Sequence, residues 1–239
     1  MKLILLLGIF MVLLLACPSQ GQNEVTELIF NITSSWNGRS TVPENEIIEV
    51  RFYAPEHTFG VRGFGIDIKA PFYDDPAPSG NPGRFDGLWD YEVVEVFILG
   101  NDDKYVELEF GPHGHYLVYQ LEGYRNTTST TQELHGYSTV INKTEKVWHA
   151  RAFIAEDQLP EGDHSFNAYA IHGVGKDRVY MALYPNLDES YTSPDFHVLE
   201  PFEPIDLTGL ITSGALDSVA TNHWVQFSLL FLLACKIFA

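Results

Sequence analysis

Cysteine is missing from everything between Cys17 and Cys235, and these two stand near the opposite ends of the 239-residue chain. A disulfide framework and a thiol nucleophile are thereby excluded for the segment between them. Its stability must rest on a hydrophobic core large enough to stand without cross-links. Basic residues are scarce as well: 14 Lys and Arg oppose 32 Asp and Glu, for a net charge of −18. No basic run occurs, which argues against phosphate-backbone contacts and hence against nucleic acid as a partner. A solvated, self-repelling surface is the preferred reading of this acidity, with a calcium site as the sharper alternative and no other cofactor expected. The chain also lacks a Gly-x-Ser-x-Gly elbow, a phosphate loop, a dinucleotide fingerprint and a His-Glu-x-x-His zinc pattern.

Long apolar runs are confined to the two ends. Lys2 precedes an apolar stretch from Leu3 to Ala16, and Ser19-Gln20-Gly21 follows it. That order predicts a secretory signal peptide over 1–21, too short for a membrane span. At the other end, Ser213-Gly214-Ala215, a mixed spacer and an apolar tail from Trp224 to Ala239 follow the order of a glycosylphosphatidylinositol signal. The expectation is a lipid anchor at Ser213, a removed segment 214–239, a stalk over 203–213 and one folded domain over 22–202. Three Asn-x-Thr sequons, at Asn31, Asn126 and Asn142, agree with a glycoprotein that is secreted or held on the outer face of the plasma membrane.

From Ile47 to Leu183, short alternating or apolar runs rich in aromatic and β-branched residues are punctuated by Gly, Pro, Asn and Asp. This predicts an all-β fold, an antiparallel sandwich of the jelly-roll type, without a long helix. Strands are expected at 47–53, 64–70, 91–99, 105–110, 116–121, 137–141, 147–154, 165–171 and 179–183. A Pro/Gly/Asp-rich loop from Pro71 to Gly87 is long for a compact domain, and Gly100 to Asp103 reads as the turn of a hairpin.

That hairpin carries the clearest chemical pattern. With a period of two, Trp89, Tyr91, Val93, Glu95 and Phe97 share one face of its first arm, and Tyr105, Glu107 and Glu109 share one face of its second. If the two faces coincide, carboxylates and aromatic rings converge. Rings stack on the apolar faces of sugars while carboxylates accept hydrogen bonds from hydroxyls, so the surface suits a polyhydroxylated ligand. An ordinary solvated acidic face is the plain alternative. His113, His115, His172 and His197 match no zinc spacing, so no metal site is assigned, and Met181 reads as packing in a strand rather than as a haem ligand.

The segments LWDYEVVEVF, ELEFGPHGHYLV, AIHG, ALYP and PDFHVLE resemble those of the chromosome 4 open reading frame 33 family (UPF0462), over most of the chain from about Phe30 to Phe202. Their Val-Glu-x-Phe and Glu-x-x-Pro-x-Gly pattern is more distantly similar to family-9 carbohydrate-binding modules and DOMON-type domains. The resemblance implies a β-sandwich and, by analogy, ligand binding on a concave sheet face. Its motif positions here are Glu95, Glu109, Trp89, His172, Asp195 and His197. The expectation is a non-catalytic module that recognises a glycan or another polar ligand. One alternative is a glycoside hydrolase using Glu95 and Glu109, and another is an interaction module with no small ligand.

Overall fold

A computed structural model describes residues 26–56, 58–130 and 132–212. The expected signal 1–21, the anchor site Ser213 and the tail beyond it lie outside the described residues. The strands are β1 (Glu27–Ile32), β2 (Ser34–Ser35), β3 (Ile48–Tyr53), β4 (Gly63–Pro71), β5 (Gly83–Arg84), β6 (Val93–Leu99) and β7 (Lys104–Phe110). They continue with β8 (His115–Glu122), β9 (Thr127–Ser129), β10 (His135–Asn142), β11 (Val147–Ala155), β12 (His164–His172), β13 (Val179–Ala182) and β14 (Glu203–Ile205). Among the described residues the only helical segments are short 3-10 turns. The fold is an all-β sandwich, and every expected strand is present with its ends within two residues of expectation.

One sheet runs β1-β3-β4-β11-β10 and the larger one β2-β13-β12-β6-β7-β8-β5, with β14 added on β12 and β9 on β8. Pairing is antiparallel except for the short β5–β8 contact. Alternation along each strand sends one set of side chains between the sheets. From the smaller sheet come Val50, Phe52, Phe64, Ile66, Ile68 and Trp148; from the larger come Val94, Val96, Ile98, Val106, Leu108 and Phe166. Phe166 packs edge-on against Phe52 at 5.4 Å and Phe30 at 4.5 Å between ring centres. Full burial of each such ring stabilises the fold by roughly 1.5–3 kcal/mol. This layer replaces the cross-links that the domain lacks.

The β6–β7 hairpin turns on Asn101–Asp103, where Asp102 and Asp103 take φ of 58° and 54°. Aspartate tolerates this left-handed region better than most residues do. The register sets Glu95 opposite Glu109 and Phe97 opposite Glu107.

The opposite face of the larger sheet is buried as well. Val93, Phe97, Tyr105, Leu117, Leu121, Tyr169 and Ile171 form a second apolar cluster there, covered by Leu88, Phe196 and Phe202. Leu88–Asp90 is a 3-10 turn entered through Gly87 at φ 85°. Trp89 therefore stands on a turn ahead of β6, and Tyr91 precedes the strand too, contrary to the expectation that both belong to it.

A second departure concerns residues 203–212. Instead of a stalk, they add β14 to β12, bury Leu207 and Leu210 in the main core, and close with a bridge between Thr212 and Gly63. Three apolar residues, Ile205, Leu207 and Leu210, outweigh the loop-like composition around them. Leu210→Ala is expected to destabilise the protein by about 2–5 kcal/mol in urea denaturation; a stalk position would leave the midpoint unchanged.

Candidate functional site

Two backbone rows build the floor of the site. Tyr169, Glu95, Glu109 and Leu117 lie side by side across β12, β6, β7 and β8, and Asn167, Phe97, Glu107 and Tyr119 form the next row. All three glutamates thus point to the outer face of the larger sheet. That face is roofed, so Glu95, Glu107 and Glu109 are 2%, 4% and 0% exposed. Oε1 of Glu95, Oε2 of Glu107 and both carboxyl oxygens of Glu109 have no hydrogen-bond partner.

Above this floor opens a cleft of about 380 Å³. Glu95 and Glu107 line it, together with the aromatic rings of Trp89, Tyr119, Tyr180 and Phe196. Trp89 and Tyr119 have ring centres 6.1 Å apart. Arg178 fixes the Trp89 turn, donating from its terminal nitrogens to the carbonyls of Trp89 and, at 2.9 Å, Asp90. Tyr119 is held by donating its hydroxyl to Asp86. Arg125 donates to Asp195 Oδ1 at 2.9 Å, and the Tyr124 hydroxyl donates to Asp195 Oδ2 at 2.6 Å. His197 completes the wall: its Nδ1 lies 2.8 Å from the Tyr105 hydroxyl, and its backbone N–H donates to Asp195 at 3.1 Å.

Burial governs the electrostatics. Desolvation pushes Glu107 up to about 7 against the opposing pulls of the adjacent Glu109 carboxyl and, more weakly, of Arg125. Desolvation also raises Glu95 and Glu109 well above the carboxylate range, and neighbouring carboxylates add to the shift, Glu107 for Glu95 and both Glu95 and Glu107 for Glu109. Burial presses His197 down to about 4, leaving it neutral near pH 7. Burial opposes ionisation of Asp195, but hydrogen bonds from Tyr124 and the His197 backbone, with Arg125 beside them, hold it below its usual value.

Of the residues singled out in the sequence, Trp89, Glu95, Glu107 and His197 line the cleft, and Asp195 braces its rim. Glu109 belongs to the same floor row but is fully buried and does not line the cleft, which removes one member of the Glu95/Glu109 pair that the glycosidase reading requires. Tyr91 packs edge-on against Phe85 at 5.6 Å, outside the lining. His172 is elsewhere, stacked at 3.6 Å on Tyr73 beside buried Glu92 and Trp148. Burial lowers His172 and pushes Glu92 up to about 7. Among the described residues no group of three or more His, Cys, Asp or Glu stands close enough to hold a metal ion.

Asn31 and Asn126 are exposed, whereas half-buried Asn142 accepts backbone hydrogen bonds from Thr144 and Glu145. The long 71–87 loop is tied down, with Gly83–Arg84 paired to β8. Sequence reasoning missed Arg125, Arg178, Tyr119 and Tyr180. The alternation of β8 could have yielded Tyr119, which faces Glu107 across the ladder; the arginines lie in turns whose placement depends on the tertiary fold.

No family model matches the chain. UPF0462 protein C4orf33 homolog of Danio rerio is 37% identical over 204 residues, spanning 82% of this chain and 93% of that protein. UPF0462 protein C4orf33 of Homo sapiens is 39% identical over 188 residues, 76% of this chain and 89% of the human one. The chain belongs to the UPF0462 C4orf33 family. Among solved structures, a candidate carbohydrate-binding protein from Bacteroides uniformis ATCC 8492 superposes with a TM-score of 0.55 at 15% identity, covering 74% of this chain and 84% of that one. At that identity the likeness concerns the fold alone. A family-9 carbohydrate-binding module from Caldicellulosiruptor kristjanssonii, in complex with cellotriose, gives a TM-score of 0.38 at 13% identity over 67% and 75% of the two chains. That similarity is too loose to argue from. For this C4orf33 family member, then, the sandwich is shared and the cleft has to be read from its own residues.

The raised carboxyls have a thermodynamic consequence. Folded Glu107 and Glu92 keep their protons up to about 7, whereas unfolded glutamate releases its proton near 4.5. Their burial therefore costs least below pH 4.5, and stability is lost as pH rises through 7. Glu107→Gln is expected to raise the melting temperature at pH 8 and to shrink its fall between pH 5 and pH 8. An unchanged pH slope in thermal melts would show that Glu107 titrates normally.

Proposed function

We propose that the cleft is a non-catalytic binding site for a glycan or a closely similar polyhydroxylated ligand. The observation that carries this reading is the pairing of unpartnered, buried carboxyl oxygens on Glu95 and Glu107 with the rings of Trp89, Tyr119 and Tyr180 in one open cleft. An orphaned buried acceptor costs about 1–3 kcal/mol, so a ligand that supplies donors recovers free energy already spent in folding. Rings supply apolar area for sugar faces. The Bacteroides uniformis protein of the same fold, itself a candidate carbohydrate binder, supports the same reading.

A hydrolase built on the Glu95/Glu109 pair is disfavoured by geometry: Glu109 is fully buried and lies outside the cleft lining. A pure interaction module is disfavoured by the orphaned oxygens, which such a role leaves without purpose. In a glycan-array screen followed by calorimetry, Trp89→Ala is expected to weaken the best ligand by about tenfold, the equivalent of ~1.4 kcal/mol. A screen without any ligand, or a ligand indifferent to Trp89→Ala and Glu95→Gln alike, would remove the proposal.

The compartment enters as part of the same proposal. The signal-like start, the sequons and the small-residue step at Ser213 ahead of an apolar tail support a glycoprotein displayed on the outer cell surface through a glycolipid. Phosphatidylinositol-specific phospholipase C is expected to release it from intact cells; retention after complete digestion of a control anchor would refute the lipid linkage.

A further inference from the structure

We propose that the group received at the floor of this cleft is a protonated amine, carried on a sugar ring whose nitrogen is not acylated. The proposal rests on the glycan-binding reading and specifies its chemistry. Three glutamates crowd the floor, yet among the described residues none of them takes part in an ion pair. Of the two guanidinium groups that line the cleft, Arg125 pairs with Asp195, and Arg178 donates through its terminal nitrogens to the carbonyls of Trp89 and Asp90 while its Nε stays unpartnered; both act on Glu95 from a distance. Neither arginine forms an ion pair with a floor carboxyl.

An ammonium group matches these unpartnered acceptors in donor number as well as in charge. It offers three hydrogen-bond donors, enough to bridge the free oxygens of Glu95 and Glu107 while keeping one for solvent or a further acceptor. A sugar hydroxyl offers one donor without charge. Hydrogen bonds to charged groups contribute about 1.5–3 kcal/mol, against about 0.5–1.5 for neutral pairs, so the buried carboxyls discriminate in favour of the amine. Trp89, Tyr119 and Tyr180 add ring faces, which attract cations as well as sugar carbons. An acetamide would bring bulk, one neutral N–H donor and no charge.

Binding of this kind is coupled to protons. Glu107 is faced by Glu109 on its own strand, Glu95 on β6 and Tyr119 on β8. Arg125, His197 and Asp90 approach from the turns and the covering segment, and Arg178 and Tyr180 from β13 and the turn before it. Asp195 stands behind Arg125, and Tyr105 behind His197. Since burial keeps the floor acids protonated to higher pH, an entering ammonium favours their ionised forms and expels protons to solvent.

Three tetrasaccharides with the same β-1,4 linkage test the idea, because they differ only at carbon 2: fully deacetylated chitotetraose, N-acetylated chitotetraose and cellotetraose. Titration calorimetry in phosphate and in Tris at equal pH reads affinity and proton release together. The deacetylated sugar is expected to bind at least tenfold tighter than either neutral one, with net proton release. Glu107→Gln and Glu95→Gln, which keep side-chain volume and relieve repulsion, are expected to abolish that preference in proteins whose circular dichroism is unchanged. Cellotetraose binding as tightly in a Trp89-dependent manner overturns the amine inference and leaves the glycan reading intact. Amine binding that both Gln variants tolerate, with no proton release, assigns the attraction to the acidic surface and overturns the inference. Silence from all three sugars overturns it together with the glycan reading.

Discussion

Burial on both faces of the larger sheet is the constraint from which the other features follow. A strand has two faces, and in most sandwiches one looks inward while the other is wetted. Here β6 and β7 send Val94, Val96, Val106 and Leu108 into the main core, while their alternate residues meet a second layer built from Leu88, Phe196 and Phe202. Residues that would ordinarily sit in water, Glu95, Glu107 and Glu109 among them, are thereby desolvated. The second layer is incomplete over two of these acids, and that gap is the cleft.

The arrangement is costly by the usual rules of sheet stability. Like charges directly opposite one another destabilise a ladder, and buried carboxyl oxygens without partners forfeit hydrogen bonds that water would supply. The cost is lowered by protonation, which burial itself promotes. Local conflicts of this kind concentrate at functional sites. By contrast, the wetted face of the smaller sheet satisfies its charges internally, with Asp67 paired to both Arg51 and Arg151.

Much of this was legible in the chain. The alternation from Ile47 to Leu183 located the strands, and the Gly100–Asp103 turn located the hairpin that juxtaposes the acids. Recognising the family depended on the same segments. Other parts were harder to read. Alternation extends back through Tyr91 and predicts a strand at Trp89, although Gly87 and the burial of Leu88 impose a turn. Glu27–Ile32 reads Glu-Leu-Ile-Phe-Asn-Ile, and the apolar but exposed Ile29 hides the alternation that its burial follows. The burial of Glu109 could not be read locally, since nothing in Val-Glu-Leu-Glu-Phe distinguishes a wetted face from one roofed by residues about ninety positions away. Arg125 and Arg178 reach the cleft only because turns distant in sequence meet there.

The closing bridge between Thr212 and Gly63 bears on mechanics. Each residue donates a backbone hydrogen bond to the other, at 3.0 and 3.3 Å, and Leu210 is anchored in the core two residues earlier. Tension applied at Thr212 itself enters the sandwich directly at β4, a strand in the middle of its sheet, because the bridge joins the two backbones without an intervening loop.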